Sequence, residues 1–184
     1  MTTSTPIDAD GHLNPAVAGL RHFADILALN AASVHFLSPL TPERLAHLHA
    51  HAAYHKVVQH DGRVLAFLLA FAPGAPYDSV NYRWFDARYA DFLYVDRIVV
   101  AEDARGLGLA SRLYRDLFGH ARANGYACVV CEFDIDPPNP ASERFHRGFG
   151  FAEVGSQRLP SSKTVSLQSA PVQVASLPPG DARR

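Results

Sequence analysis

Apolar residues recur along the chain in two periods, and each switch between them marks a change of element. Alternating or continuous apolar runs predict strands at DILALNAA (Asp25 to Ala32), YHKVVQH, RVLAFLLAFA, FLYVDRIVV, ACVVCEFDID, FAEVGSQRL and TVSLQSAPV. Asp61-Gly62, between the second and third, is a strong hairpin signal and makes that pair antiparallel. Three-to-four spacing predicts helices elsewhere. One has Thr41 as N-cap and Pro42 at its first position, and turns Leu45, Leu48 and Ala52 inward. A second, starting near Gly106, carries Leu109, Leu113, Leu117 and Ala121 on one stripe. A third has Asn139 as N-cap, Pro140 next and Gly150 at its end.

The strand-helix-strand run through the second helix predicts a parallel pair. The order β-α-β-β-β-α-β-α-β-β implies an α/β fold, a central mixed sheet flanked by helices. Between Pro73 and Asp91 the period fails while five aromatic residues gather, so this segment reads as an excursion. Residues 1–22 read as a loose arm, with PAVAGLRHF as an optional short helix, residues 23–172 as the domain and 173–184 as a loose tail. A length of 184 residues suits one such domain.

Composition narrows the function. The chain is 48% hydrophobic and 19% charged, an ordinary globular balance, and its 17 basic against 18 acidic residues create no general field for nucleic acid or anionic lipid. Any anion site is therefore local. No apolar run approaches the ~20 residues of a membrane span, and the first residues lack a signal-peptide pattern; the expectation is a soluble, cytoplasmic protein with no membrane or nucleic-acid partner. Cys128 and Cys131 form a C-x-x-C, but on a strand they face opposite ways, which argues against redox or metal chemistry. Histidines at 47, 49, 51 and 55 sit at helical spacing, yet no carboxylate or cysteine completes a ligand set nearby. They read as a solvated helix face, and no metal is expected.

The local anion site is suggested by EDARGLGLASRLY. A helix start has N–H groups without intrahelical partners at the positive end of its dipole. Gly106 and Gly108 let an anion reach the backbone, and Arg105 adds a forked donor. A tight turn with no ligand is the alternative. A P-loop needs a lysine after the glycines, and a dinucleotide fingerprint needs a glycine where Ser111 stands. The pyrophosphate of an acyl-CoA remains.

VVAEDARGLGLASRLY resembles the central motif of the GNAT superfamily of acyl-CoA-dependent N-acyltransferases, [R/Q]-x-x-G-x-[G/A] after a strand, with Arg105, Gly108 and Ala110 in the fixed places. The family's second motif, N-x-x-[A/S]-x-x-[F/L]-Y-x-x-x-G-F, is matched by Asn139, Ser142, Phe145, Gly150 and Phe151. His146 departs from it, standing where the family most often has tyrosine. The resemblance implies acetyl-CoA as cosubstrate, held where two parallel strands splay apart. Backbone of Ile98, Val99 and Val100 would take the pantetheine arm. The turn Arg105, Gly106, Leu107, Gly108, Leu109, Ala110 and Ser111 would take the pyrophosphate, and Asn139, Ser142 and Phe145 would lie near the arm. The family often forms homodimers.

The implied reaction is direct attack of an amine on the thioester, with no acyl-enzyme. A base must take the amine's proton, and an acid must meet the departing thiolate. His146 is the candidate acid, with packing against the cofactor as its other reading. Strand parity places Glu132, Asp134 and Asp136 on one face, and Tyr94 with Asp96 on one face of the neighbour. Glu132 ranks first as base, Asp96 second, with Tyr94 beside them. Asn30, Tyr82, Arg83 and Trp84 are the candidate contacts to a small amine or amino-acid-like acceptor, with Arg83 suited to a carboxylate. A non-catalytic acyl-CoA sensor is the competing reading.

Overall fold

The computed structural model describes residues 13–33 and 37–173. The strands are β1 (Ala16–Val17), β2 (Tyr54–His60), β3 (Arg63–Phe71), β4 (Phe92–Val100), β5 (Cys128–Asp136), β6 (Ala152–Arg158) and β7 (Thr164–Pro171). They form one sheet in the order β1-β2-β3-β4-β5-β7-β6. The helices are α1 (Phe23–Ala31), α2 (Pro42–His51), α3 (Val80–Asp86), α4 (Leu109–Ala123) and α5 (Pro140–Gly148). β4 and β5 run parallel, as a crossover through α4 requires, and the other named pairs are antiparallel.

Most elements form where their pattern places them. Asp61 and Gly62 both adopt positive φ, 47° and 81°, which a two-residue hairpin demands. Thr41 accepts a hydrogen bond from the Arg44 amide at 3.1 Å and starts α2, whose Leu45 and Leu48 are buried. Leu109, Leu113, Leu117 and Ala121 are the buried stripe of α4.

The expected strand Asp25 to Ala32 is instead α1, so the order is β-α-α-β-β-α-β-α-β-α-β-β. Its buried positions, Ile26 and Asn30, continue the fourfold spacing of His22 just before it, and alanine and leucine favour the helix. The optional helix at PAVAGLRHF is also absent: Ala16 and Val17 pair with Val57 and Lys56, and a single 3-10 turn follows at Leu20–His22. α4 begins at Leu109, not near Gly106, because Gly106 and Gly108 have φ of 82° and 72° and cannot continue a right-handed helix. The excursion folds into α3 behind the N-cap Ser79.

Both sheet faces are covered. Leu68, Leu93, Leu113, Tyr114, Leu117 and Cys131 belong to the core under α4, and Leu69, Phe71, Tyr82, Phe85, Phe92, Tyr94 and Cys128 to the core on the opposite side. The two cysteines, both buried and unbridged, thus fall in opposite layers. Two irregularities shape the centre. β4 and β5 pair only through Phe92↔Cys128, Leu93↔Val129 and Tyr94↔Val130, after which β5 continues against β7 and β4 against β3. Leu69 pairs with Arg97 and Ala70 with Val95, leaving Asp96 as the extra residue of a bulge.

Candidate active site

A cavity of about 610 Å³ occupies the place where β4 and β5 part. Ile98, Val99 and Val100 line one wall along the edge of β4 that β5 has left, so their backbone is open to a strand-like guest. Arg105 and Ala110 line the end towards α4. Gly108 is the N-cap of that helix and supplies no side-chain cap, so the first amides of α4 are left without a partner from the capping residue. A Cβ built on Gly106 or Gly108 would meet no atom within 4 Å; these glycines answer to positive φ and leave open space in front of the backbone. Leu107 between them is 62% exposed.

Glu132 reaches the cavity from β5. Its Oε1 accepts hydrogen bonds from Asn81 Nδ2 at 2.8 Å and the Tyr94 hydroxyl at 3.0 Å, while its Oε2 is shielded from solvent without a hydrogen-bond partner. Part of the residue still faces the cavity. Desolvation pushes the carboxyl up to about 8, against the two hydrogen bonds that favour its charge. The Asn81 amide is itself held, since Gln157 of β6 donates to its Oδ1. Asp96 has other partners. Tyr77 donates to it, Arg97 Nε lies against it, and Arg97 is tied in turn to Asn30 Oδ1 at 2.7 Å. Asp134 accepts from Lys163 Nζ at 2.7 Å. Asp96 and Asp134 therefore face cations, whereas the partners of Glu132 are neutral.

His146, on α5, is 5% exposed. Its Nδ1 lies 2.8 Å from the Ser142 carbonyl oxygen and 3.1 Å from the Ser142 hydroxyl; its Nε2 lies 2.8 Å from the Tyr114 hydroxyl. A carbonyl only accepts, so Nδ1 carries the proton and the neutral ring receives the Tyr114 proton at Nε2. Burial lowers the pKa of the ring and keeps it neutral. Asn139 accepts from the Ser142 amide at 3.1 Å as the cap of α5.

The model of the acetyltransferase (GNAT) family matches residues 20–151. The chain belongs to the GNAT acetyltransferase family. Solved structures agree in fold: Ard1 from Thermoplasma volcanium has a TM-score of 0.72 at 15% identity, covering 87% of this chain and 97% of its own. An N-acetyltransferase from Staphylococcus aureus has 0.66 at 21%, covering 88% and 99%. yncA from Salmonella typhimurium, a structure with its cofactor acetyl-CoA, has 0.65 at 19%, covering 94% and 99%. A search of the curated proteins found no match. As a GNAT acetyltransferase the protein is an acyltransferase.

In this GNAT acetyltransferase the cavity gathers Asp96, Ile98, Val99, Val100, Arg105, Ala110, Glu132, Asn139, Ser142, Phe145 and His146. Other candidates stand away from it. Arg83 is exposed on the outer side of α3, and Trp84 packs over Gly155 and under Arg88. Tyr82 is 1% exposed and holds the chain before α3, donating to the Ala72 carbonyl and accepting from the Ala75 amide, each at 2.8 Å. Asn30 is buried as the brace of Arg97. The excursion does contribute to the site, but through Tyr77, Ser79 and Asn81. Asn81 lies in neither family motif, and Tyr114 closes the run of the first without filling one of its fixed places. Tyr114 was findable as the residue three before Leu117 on the buried stripe. Asn81 was not, because 51 residues separate it from its partner. Among the described residues no three His, Cys, Asp or Glu side chains gather as metal ligands; His47 and His51 are exposed, and His49 turns its Nδ1 to that of His55 at 2.9 Å. No helix among the described residues is long and apolar enough to cross a membrane.

Proposed function

We propose that the protein moves an acetyl group from acetyl-CoA to a primary amine of a small or amino-acid-like acceptor, by direct attack with both substrates bound. The pyrophosphate rests on the Arg105 turn and the first amides of α4, and the pantetheine lies along Ile98 to Val100 where β4 has lost its neighbour. The observation that carries the reading is the Glu132 carboxyl, enclosed in the cavity with one oxygen anchored and the other unpartnered. An acceptor ammonium satisfies that oxygen and gives up its proton there. Enclosure raises the proton affinity of Glu132 to match the task, while Asn81 and Tyr94 fix its direction. Asp96 and Asp134 are less suited, since each already neutralises a cation.

The test is thiol release from acetyl-CoA with a panel of amines, across pH. With Glu132 pushed up to about 8, kcat/KM should climb with pH below that value and level off above it. Glu132→Gln should lower turnover by about 10²-fold or more and recover part of it at high pH, where free amine is abundant. An unchanged pH profile in that variant removes Glu132 from the role.

A further inference from the structure

We propose that Tyr114, rather than His146, presents the proton to the departing thiolate, and that His146 is the positioning residue that holds the Tyr114 hydroxyl in place. The inference rests on the acetyl-CoA reading above but adds a group that stands at none of the fixed places of either family motif. Its ground is the direction of two hydrogen bonds. His146 spends its only proton on the Ser142 carbonyl at 2.8 Å, so its cavity-side nitrogen is an acceptor and has nothing to donate. The group that fills that acceptor is the Tyr114 hydroxyl, 2.8 Å away on the facing helix.

Position supports the assignment. Tyr114 lies one helical turn, roughly 6 Å, along α4 from Ala110 at the phosphate end. It lines the same cavity as Glu132 and Cys131. A thioester held between the Arg105 turn and the Glu132 carboxyl would lie in the cavity to whose wall Tyr114 contributes. Burial keeps Tyr114 far above the ordinary phenol range, so it holds its proton throughout the working pH; the same enclosure makes a new thiolate a stronger base than it is in water. As the C–S bond breaks and its electron pair goes to sulfur, the Tyr114 O–H turns from Nε2 to sulfur. The O–H bond breaks and the S–H bond forms; as products leave, entering water relays the proton held by Glu132 to the phenolate, which restores the Tyr114 hydroxyl and the Glu132 carboxylate together.

The experiment compares Tyr114→Phe, His146→Leu, His146→Gln and the Tyr114→Phe/His146→Leu double variant in saturating acetyl-CoA and acceptor. Tyr114→Phe should lose about 10²-fold in kcat with little change in either KM. His146→Leu should lose a similar factor and the double variant no more, because the two act as one unit. His146→Gln should stay within a few-fold of wild type, since the amide oxygen can accept the same hydroxyl. The proposal is overturned if Tyr114→Phe keeps most of its turnover, if the losses multiply, or if Gln at 146 is as poor as Leu. Calorimetry with coenzyme A on each variant separates lost chemistry from a lost fold. A wild type that binds no coenzyme A would instead defeat the underlying acetyl-CoA reading. A direct check needs no variant: nitrogen-15 NMR of the wild type should show His146 protonated at Nδ1 alone, and an Nε2–H tautomer would refute the arrangement.

Discussion

A carboxyl group with one anchored oxygen and one bare one sets activity and stability against each other. Glu132 has its pKa raised from 4.5 to about 8, chiefly by desolvation. Below pH 4.5 it is protonated in both the folded and the unfolded chain. Between 4.5 and 8 the unfolded chain gives up the proton while the folded one keeps it, so stability falls as pH rises through that window and stops falling above it. Catalysis asks for the ionised form, which is the form the fold resists. Glu132→Gln should therefore flatten the decline, narrowing the stability difference between pH 5 and pH 9 by on the order of a few kcal/mol. Urea unfolding of both proteins at the two pH values measures it; parallel pH dependences would mean the carboxyl is solvated after all. The ranking of Glu132 was legible from strand parity, because alternation alone puts it on the face shared with Asp134. What isolates it from Asp134 was not, since Lys163 and Asn81 approach from distant parts of the chain.

At the scale of elements, the legible features were those with local causes. The Asp-Gly turn, the Thr41 and Asn139 caps and the crossover through α4 each depend on neighbours a few residues away. α1 departs from the strand its pattern predicts because Asp25 to Ala32 is apolar at nearly every position, and a short apolar run does not distinguish a strand from a buried helix. The aromatic excursion divides for a related reason: Tyr82 and Phe85 pack against Phe71, Phe92 and Tyr94 in the core, while Tyr77 of the same segment reaches the cavity. α5 illustrates how a cap and a site converge in one residue. Asn139 bonds the Ser142 amide, and Ser142 in turn receives the His146 proton. Asn139→Ala should cost about 1 kcal/mol of stability and raise KM for acetyl-CoA. Asn139→Asp, which keeps an acceptor at the cap and adds a charge the helix dipole favours, should melt like wild type yet still raise that KM, because the amide nitrogen that the proposed function would offer to the pantetheine is gone. Thermal melts and acetyl-CoA saturation curves separate the two roles; an Asp variant with wild-type KM would leave Asn139 as a cap alone.

Across the whole molecule, near-neutral net charge conceals charges that are strong, internal and matched. Arg97, 6% exposed, joins three regions: it lies against Asp96 on the bulge of β4, donates to Asn30 at the end of α1, and through Asp96 meets Tyr77 of the segment before α3. Asn30 extends the brace to the Ser38 carbonyl at 3.1 Å. Ser38, Tyr77, Asp96 and Arg97 line the cavity together with Glu132, so the network fixes its shape as well as its charge, and under the proposed function this is the end that would take the acceptor. Taking one partner from a buried pair leaves the other charge without compensation in a poorly solvated place, a cost of roughly 3–5 kcal/mol. Arg97→Met should therefore destabilise by about that amount, and adding Asp96→Asn should return part of it, since the stranded charge is then removed. Neither Arg97 nor Asp96 is the proposed base, so the double variant should retain turnover while its acceptor KM rises and its acetyl-CoA KM stays near wild type. Denaturant titrations of the two single variants and the double, with steady-state kinetics of the double, test both halves; additive losses would show that the pair does not act as a unit, and an unchanged acceptor KM would show that the brace does not shape the acceptor end.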